Sequence, residues 1–241
     1  METIKNFKNT LFIDIETVSG SENFSSISNK MKDFWVKKAK NLVNLANISL
    51  EEMYFERAAL YAEFGKIIVV GMGFLFVNKQ GELSLKVKTI ANADEKVLLQ
   101  EFIAFINKTY KSRELTLVAH NGKEFDFPYL CRRILANAIE MPEVLDLAGK
   151  KPWDIQHLDT MQLWKFGDFK SYTSLDLLAA VFDLPTPKDD LDGSMINDAY
   201  YQQNDLERIK KYCEKDVVTL ASIFLRMNSE PALAKTEISV V

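Results

Sequence analysis

Cysteine and histidine are both scarce in this 241-residue chain, which has two of each. Two thiols, Cys131 and Cys213, are too few for a disulfide framework and argue against a zinc site built from cysteines. We expect both to be reduced and partly buried, as isolated cysteines in a core usually are. These absences direct attention to acidic side chains as candidate metal ligands.

The sequence also lacks a hydrophobic run long enough to cross a membrane. Its longest apolar run, IIVVGMGFLFV at residues 67–77, is far shorter than the roughly 20 residues that a spanning helix needs. The first residues, METIKNF, do not show the charged-then-apolar pattern of a secretory signal. We therefore expect a cytoplasmic protein that does not associate with membranes.

An excess of positive charge is absent as well. Lysine and arginine together number 30, against 34 aspartate and glutamate residues, so that the formal net charge is −4. This balance argues against a general nucleic-acid coat protein, which needs a basic surface. A nucleic-acid enzyme stays open, because the carboxylates of a metal site add negative charge that bound cations would offset.

The composition is that of a folded core, since 47% of the residues are hydrophobic and 11% are aromatic. Strand and helix patterns alternate, which is typical of an α/β domain. The predicted strands cover residues 11–17, 66–77, 82–90, 114–121 and 156–162. The predicted helices cover residues 28–46, 49–63, 93–110, 128–138, 173–182 and 205–227.

The first predicted strand, LFIDIET, carries two carboxylates within an apolar run. Asp14 and Glu16 are two residues apart, so strand geometry places both on the same face of the sheet. A solvent-facing acidic strand is the alternative interpretation, and the apolar density around the pair makes it the weaker one. The pair is therefore a candidate site that needs a positive partner.

A third carboxylate stands in HNGKEFDF, residues 120–127, where Asp126 comes just before a helix that Pro128 begins. An acidic residue at that position is commonly a helix cap or a partner of the helix dipole. Asp126 by itself therefore indicates no chemistry.

The last predicted helix contains YCEKDV, residues 212–217. Tyr212 and Asp216 are four residues apart, so a helix presents them one above the other on the same face. The alternative is an ordinary surface pair among neighbouring lysines and glutamates. Only proximity to other functional groups would distinguish the two interpretations.

These three segments would form one site if the first strand is central and both helices pack beside it. Two carboxylates about 4 Å apart repel by roughly 4 kcal/mol at an effective dielectric constant of about 20. Such a cluster needs divalent cations or protonation. Oxygen ligands without cysteine or histidine suit the hard ions Mg²⁺ and Mn²⁺.

The segments DIET, NGKEFD and YCEKD occur in the order of the three exonuclease motifs of the DEDD (DnaQ-like) 3′–5′ exonucleases, which the chain resembles over about residues 10–227. A tyrosine four positions before the last aspartate is similar to the tyrosine subgroup. The segments YAEFGKIIVVGMGF, WDIQHLDTMQLW and KDDLDGSMI are most similar to stand-alone bacterial exonucleases related to the proofreading domain of family B DNA polymerases.

The resemblance implies an α/β fold of the ribonuclease H-like type, with a mixed five-stranded sheet flanked by helices. It implies a single exonuclease domain over residues 1–227. A helical insertion at 19–65, between the first and second strands, departs from compact proofreading domains. We expect residues 228–241 to form a flexible C-terminal tail.

For the site, the resemblance implies two divalent cations, Mg²⁺ or Mn²⁺. Asp14 would bridge the two ions, Glu16 and Asp216 would complete the ion that binds the attacking water, and Asp126 would hold the second ion. The hydroxyl group of Tyr212 would orient the water. An unperturbed tyrosine pKa near 10 makes this residue a positioning group and a poor base.

Four further positions are implied as contacts of the terminal nucleotide. Thr17 and Val18 follow the first carboxylate pair, and Asn121 begins the second motif. Phe125 could stack on a base, and a role in the core is the stronger alternative for this ring.

The expected activity is a metal-dependent 3′–5′ exonuclease that removes 5′-mononucleotides from single-stranded DNA, in repair or proofreading. A ribonuclease D-like 3′–5′ exoribonuclease is the first alternative, although no adjacent helical RNA-binding domain is evident. A non-catalytic nucleic-acid-binding module is the second, and the presence of all four carboxylates argues against it. The expected partner is nucleic acid, with DNA favoured and RNA left open.

Overall fold

The computed structural model describes residues 7, 9–42, 47–110, 115–168, 172–185, 191–230, 233 and 237–241. Eight α-helices occur in these ranges. They are α1 (Asn29–Ala39), α2 (Leu50–Arg57), α3 (Glu95–Thr109), α4 (Asp126–Ala136), α5 (Thr160–Lys165), α6 (Leu175–Val181), α7 (Ile196–Tyr201) and α8 (Leu206–Met227).

Six strands form one mixed sheet in the order β5-β4-β1-β2-β3-β6. They are β1 (Thr10–Ser19), β2 (Gly65–Val77), β3 (Leu83–Ala91), β4 (Thr116–Ala119), β5 (Leu158–Asp159) and β6 (Ile238–Val240). The pairs β1–β2 and β2–β3 are antiparallel, and the pairs β1–β4, β4–β5 and β3–β6 are parallel. The α/β class and the helical insertion between β1 and β2 are thereby confirmed.

Strand β1 lies inside the sheet and is covered on both faces. Leu11 and Ile13 belong to a core cluster with residues of α3 and α4. Phe12 belongs to the opposite cluster, with Val217 and Phe224 of α8. Because side chains alternate along a strand, Asp14 and Glu16 point to the same side as Phe12, toward α8.

The insertion is a packed unit. Trp35 of α1 is fully buried, with its ring 5.3 Å from that of Tyr54 and 5.1 Å from that of Phe64. Asn197 of α7 joins this unit to β1, because its Oδ1 accepts the Ser19 amide at 2.8 Å and its Nδ2 donates to the Phe55 carbonyl at 2.9 Å. The insertion is therefore fixed to the end of the strand that carries the acidic pair.

Several elements differ from the sequence-based prediction. Helices α1 and α2 end at Ala39 and Arg57, before the predicted ends at 46 and 63, and α5 and α7 were not predicted. The expected five-stranded sheet has a sixth strand, because Ile238–Val240, in the segment expected to be a flexible tail, pairs with β3. The strand expected at 156–162 has only two residues, because Asp159 caps α5 by accepting the amides of Met161 and Gln162.

Parts of four sequence-based predictions lie outside the described residues. They concern residues 43–46 of the first predicted helix, residue 114 of the fourth predicted strand, residues 188–190 of KDDLDGSMI, and 231, 232 and 234–236 of the expected tail. In the described part of the chain, no helix combines the length and the apolar character needed to cross a bilayer.

Candidate active site

The centre of the site lies between β1 and α8. The Cys213 sulfur is 3.3 Å from Oδ2 of Asp14 and donates a weak hydrogen bond to it. One ligand atom from each of Asp14, Glu16 and Cys213 lies within 4.8 Å of the other two. Strand β1 supplies the two carboxylates side by side, as the alternation of the sequence predicted, and α8 closes over them.

Two glycines of β2 allow this close approach of α8 to the sheet. Gly71 pairs with Asp14, and a Cβ atom there would lie 2.7 Å from the Cys213 sulfur and 2.8 Å from a methyl carbon of Val217. At Gly73 a Cβ atom would lie 2.7 Å from the other methyl carbon of Val217. The GMG segment therefore has a packing role, since a larger residue would push the helix away from the acidic pair.

Asp126 reaches the same place from the start of α4. It is 4% exposed, and its carboxylate is hydrogen-bonded to the backbone amide of Ile15, between the two acidic residues of β1. Burial raises the pKa of Asp126 to about 7. Asp126 is the first residue of α4, with Phe125 at the N-cap position, and its side chain lies against the acidic strand. Sequence alone could not distinguish this position from a helix cap.

The carboxylates act on one another electrostatically. Burial, and then the charges of Asp216 and Asp126, raise the pKa of Asp14 well above its usual range. Burial, and then Asp14, Asp216 and Asp126, do the same to the pKa of Glu16. The structure therefore brings together the four acidic residues that the three motifs predicted, and their charges strongly oppose one another.

Tyr212 lies next to this cluster and is hydrogen-bonded to Asp216. Burial is the main reason why the pKa of Tyr212 is raised above its ordinary value, and the negative charges of Asp216 and Glu16 raise it further. The phenol therefore keeps its proton at neutral pH. It can donate a hydrogen bond and orient a neighbouring molecule, but it cannot act as a general base.

The donor set fits a hard divalent cation. Four carboxylates, two of them nine-tenths or more buried, provide oxygen ligands of the kind that Mg²⁺ and Mn²⁺ take. The raised pKa values of Asp14, Glu16 and Asp126 indicate that the site disfavours uncompensated negative charges. A bound cation would remove that penalty without protonation.

The turn after β4 joins Asn121 to Asp126, and the charge of Asp159, which accepts the Asn121 amide, also acts on Asp126. The Asn121 backbone is left-handed, with φ 61°, and its carbonyl accepts the amides of Glu124 and Phe125 at 3.1 and 3.0 Å. The side-chain Oδ1 is buried and has no hydrogen-bond partner among the described residues. A buried acceptor without a partner is uncommon, and a ligand is one way to satisfy it.

The other three residues expected at the terminal nucleotide are engaged within the protein. The hydroxyl of Thr17 donates to the Ala59 carbonyl at 2.9 Å. The Val18 side chain is fully buried. The Phe125 ring is half-buried and lies 5.3 Å from that of Tyr129. Contacts of these three residues with a nucleotide remain predictions.

One residue of the site, Cys213, was not identified from the sequence, and a second, Asp159, was identified only as an acidic residue at the end of a predicted strand that could support the site. Cys213 was expected to be partly buried and unrelated to function, yet it is fully buried against Asp14. Asp159, which is 1% exposed, binds the Asn121 turn through its carboxylate. The position of Cys213 next to Tyr212 was an available sequence signal, whereas the role of Asp159 depends on segments far apart in the chain.

A mixed sheet with four acidic side chains and a tyrosine at its centre defines a nuclease-like domain of the ribonuclease H type. The family model described as "Predicted 3'-5' exonuclease related to the exonuclease domain of PolB" matches residues 60–237. The protein belongs to this family, which confirms the expected relation to the exonuclease domain of family B polymerases. The match includes Asp126, Tyr212 and Asp216, and Asp14 and Glu16 precede it.

A solved structure gives the same assignment of the fold. The chain is similar to the family B DNA polymerase from the hyperthermophilic archaeon Pyrobaculum calidifontis, with a TM-score of 0.52 and 12% sequence identity. The similarity covers 90% of this chain and 24% of the polymerase chain. At this identity the likeness concerns the fold alone. Comparison with curated protein sequences found no match.

Proposed function

We propose that the protein is a metal-dependent 3′–5′ exonuclease of the tyrosine subgroup of the DEDD family. It would hydrolyse the terminal phosphodiester of single-stranded DNA and release 5′-mononucleotides by a two-metal-ion mechanism. The observation that carries the proposal is the convergence of Asp14, Glu16, Asp126 and Asp216, whose charges oppose one another beside Tyr212. Membership of the exonuclease family supports this interpretation of the cluster.

Asp14, Glu16, Asp126 and Asp216 would hold two divalent cations, Mg²⁺ or Mn²⁺. Cations bound there would supply Lewis-acid stabilisation of the charge that develops on the phosphate oxygens and would favour a hydroxide nucleophile. The carboxylates contribute ligands at fixed positions, since β1 and α8 belong to the core. This rigidity keeps the site organised for an in-line displacement.

Tyr212 would position the attacking water through its hydroxyl group. The phenol is protonated at neutral pH, and Asp216 accepts a hydrogen bond that fixes its direction. With its single proton directed to Asp216, the phenol oxygen can accept a hydrogen bond from a water molecule and so orient it without removing its proton. Tyr212→Phe should therefore slow hydrolysis by roughly tenfold to a hundredfold while leaving substrate binding nearly unchanged.

The terminal nucleotide would lie against the Asn121 turn. The buried Oδ1 of Asn121 is an acceptor for a sugar hydroxyl or a base N–H group. Thr17, Val18 and Phe125 complete the proposed contact set from the end of β1 and the start of α4. We also propose that the exonuclease domain covers residues 1–227, and that the protein acts in the cytoplasm in DNA repair or proofreading.

The test is cleavage of single-stranded DNA and RNA oligonucleotides, labelled at either end, by purified protein with Mg²⁺ or Mn²⁺. Successive loss of mononucleotides from the 3′ end of DNA is expected, and chelation by EDTA should stop it. Faster trimming of RNA would assign the ribonuclease D-like activity instead. Binding without any metal-dependent cleavage would support the non-catalytic module.

A matched pair of variants makes this test specific. Asp14→Asn removes one charge from the cluster, and Asp154→Asn removes one from an exposed position. Only the first should abolish cleavage. Equal activity of the two variants would contradict the assignment of the active site.

A further inference from the structure

Asp159 binds two separate segments with one carboxylate. This residue, 1% exposed, ends β5. Its Oδ1 accepts the backbone amides of Asn121 at 3.0 Å, Met161 at 2.9 Å and Gln162 at 3.2 Å, and its Oδ2 accepts the amide of Lys123 at 3.1 Å. A carboxylate that accepts several amides forms charge-assisted hydrogen bonds, the stronger class of such bonds.

Helix capping explains only two of the four hydrogen bonds that Asp159 accepts. The amides of Met161 and Gln162 belong to α5, as expected for an N-cap residue. The amides of Asn121 and Lys123 come from a turn 38 and 36 residues earlier in the chain. Asp94 provides a contrast, because its carboxylate accepts the amides of Lys96 and Val97 in the helix that it caps.

The turn that Asp159 binds has an unusual backbone conformation and little free space around it. Asn121 has φ 61°, and Gly122 is confined so closely that a Cβ atom there would lie 2.3 Å from Cβ of Ala119. The turn leads directly into α4 and Asp126. Binding of the Asn121 amide sets the direction of this residue, and so of its Oδ1, which is buried without a partner among the described residues.

We infer that Asp159 is a positioning residue for the terminal nucleotide. Its buried carboxylate holds the Asn121 turn against the start of α5, so that the Asn121 oxygen points into the site before substrate arrives. This inference rests on the proposed exonuclease function. It assigns Asp159 an effect on substrate affinity through Asn121 rather than on the chemical step.

The variant Asp159→Ser distinguishes the helix-capping role of Asp159 from its positioning role. Asp159→Ser keeps a good N-cap residue, but its single oxygen on a shorter side chain cannot accept all four amides. With a single-stranded DNA oligonucleotide and Mn²⁺, Asp159→Ser should raise KM about tenfold and change kcat by less than about threefold. Asp94→Ser is the matched control for the loss of a capping carboxylate, and its KM should equal that of the wild type.

A double-mutant cycle tests whether the effect acts through Asn121. Asn121→Ala should itself raise KM, and adding Asp159→Ser to it should raise KM by less than about twofold more. Independent, multiplying effects would overturn the inference. If the Asp159→Ser variant does not fold, Asp159→Asn takes its place in the KM measurement. The asparagine side chain keeps one acceptor oxygen but loses the oxygen that accepts the Lys123 amide. An unchanged KM in that variant would also overturn the inference.

The outcomes separate the two proposals. Wild-type cleavage with equal KM values for Asp159→Ser and Asp94→Ser would overturn the positioning role and leave the exonuclease standing. If the wild type binds without cleaving, anisotropy with a 3′-labelled oligonucleotide decides the role of Asp159, with about tenfold weaker binding by Asp159→Ser expected and equal binding contradicting it. Absence of any binding by the wild type would overturn both.

Discussion

Glu95 and Glu16 have the same exposure, 7%, but opposite surroundings. Glu95 of α3 accepts hydrogen bonds from Nη2 of Arg133 at 2.6 Å, from Nδ2 of Asn137 at 2.8 Å and from the Ile67 amide at 2.7 Å. These bonds join α3, α4 and β2 around one buried negative charge. The protein itself supplies everything that this carboxylate needs.

Glu16 is surrounded by charges of its own sign. After burial, the groups that raise its pKa are Asp14, Asp216 and Asp126. Among the described residues, no lysine or arginine forms an ion pair with Asp14, Glu16 or Asp126. The comparison indicates that Glu95 serves folding, whereas the Glu16 region is organised for cations from outside, at a cost to the metal-free protein.

The largest expected effect comes from removing a charge at the repulsive cluster. Asp14→Asn should lower the rate of metal-dependent cleavage by at least about a thousandfold, because the site loses a ligand for the ions that stabilise the transition state. The thermal midpoint in EDTA should stay equal or rise, because repulsion decreases. Substantial remaining cleavage, or a large loss of stability, would contradict this assignment.

Substitution by glutamine should change the free energy of unfolding strongly at Glu95 and little at Glu16. Glu95→Gln should lower the free energy of unfolding by about 3 kcal/mol, because the partly buried Arg133 loses its counterion. Glu16→Gln should lower it little or not at all in EDTA, because a repelling charge disappears. Urea unfolding of both variants measures the difference, and equal losses would mean that Glu16 is also compensated within the protein.

The pH dependence of the free energy of unfolding should also reveal the cost of burying these carboxylates in the metal-free protein. The pKa of Asp126 is about 7 in the folded protein and about 3.9 in an unfolded chain. Between these values the folded state keeps a proton that the unfolded state has lost, so stability falls as pH rises, by up to about 1.4 kcal/mol per pH unit. Metal-free wild type should therefore lose stability relative to Asp126→Asn between pH 5 and pH 7.

Urea unfolding at the two pH values measures this loss of stability. The histidines make an opposing contribution to the pH dependence of stability, which cancels in the comparison because the wild type and Asp126→Asn share them. Saturating Mg²⁺ at pH 7 should restore the stability of the wild type, because a cation replaces the proton. Relative stability that rises from pH 5 to pH 7 without metal would contradict the burial of an uncompensated carboxylate.

The smallest expected effect concerns one side chain of the compensated region. Asn137→Ala removes the 2.8 Å bond from Nδ2 to Glu95, together with the 2.8 Å bond from the same nitrogen to the Arg133 carbonyl, and should cost about 1 kcal/mol of unfolding free energy. Asn41→Ala is the control, because Asn41 makes only the corresponding bond to the carbonyl four residues earlier, 3.3 Å to Lys37, which is exposed and should contribute little. Equal effects of the two substitutions would mean that Arg133 and the Ile67 amide compensate Glu95 without Asn137.

Local geometry made much of the site predictable. The alternation of a strand placed Asp14 and Glu16 on one face, and the helical spacing placed Tyr212 above Asp216. Four of the six predicted helices agree with the structure to within two residues at each end. The first two are the exceptions, since they were predicted to extend to residues 46 and 63, whereas α1 ends at Ala39 and α2 at Arg57. These predictions succeeded because the direction of a side chain depends on its own backbone over one or two turns.

Other features could not be predicted because their partners are distant in sequence. Strand β6 depends on pairing with β3, from which about 150 residues separate it. The fully buried position of Cys213 depends on Gly71 of β2, which lets α8 lie close to the sheet. Asp159 and Glu95 likewise acquire their roles from amides and side chains of other elements.

The sequence by itself determined the α/β class, the order of most elements, the motifs of the exonuclease family and the direction of each acidic side chain within its own strand or helix. Only the tertiary structure decided that these side chains meet, that Asp126 lies against β1, and which buried carboxylates are compensated. The physical reason is that spacing along a chain sets local geometry, whereas the energy of a buried charge depends on every group that folding brings beside it.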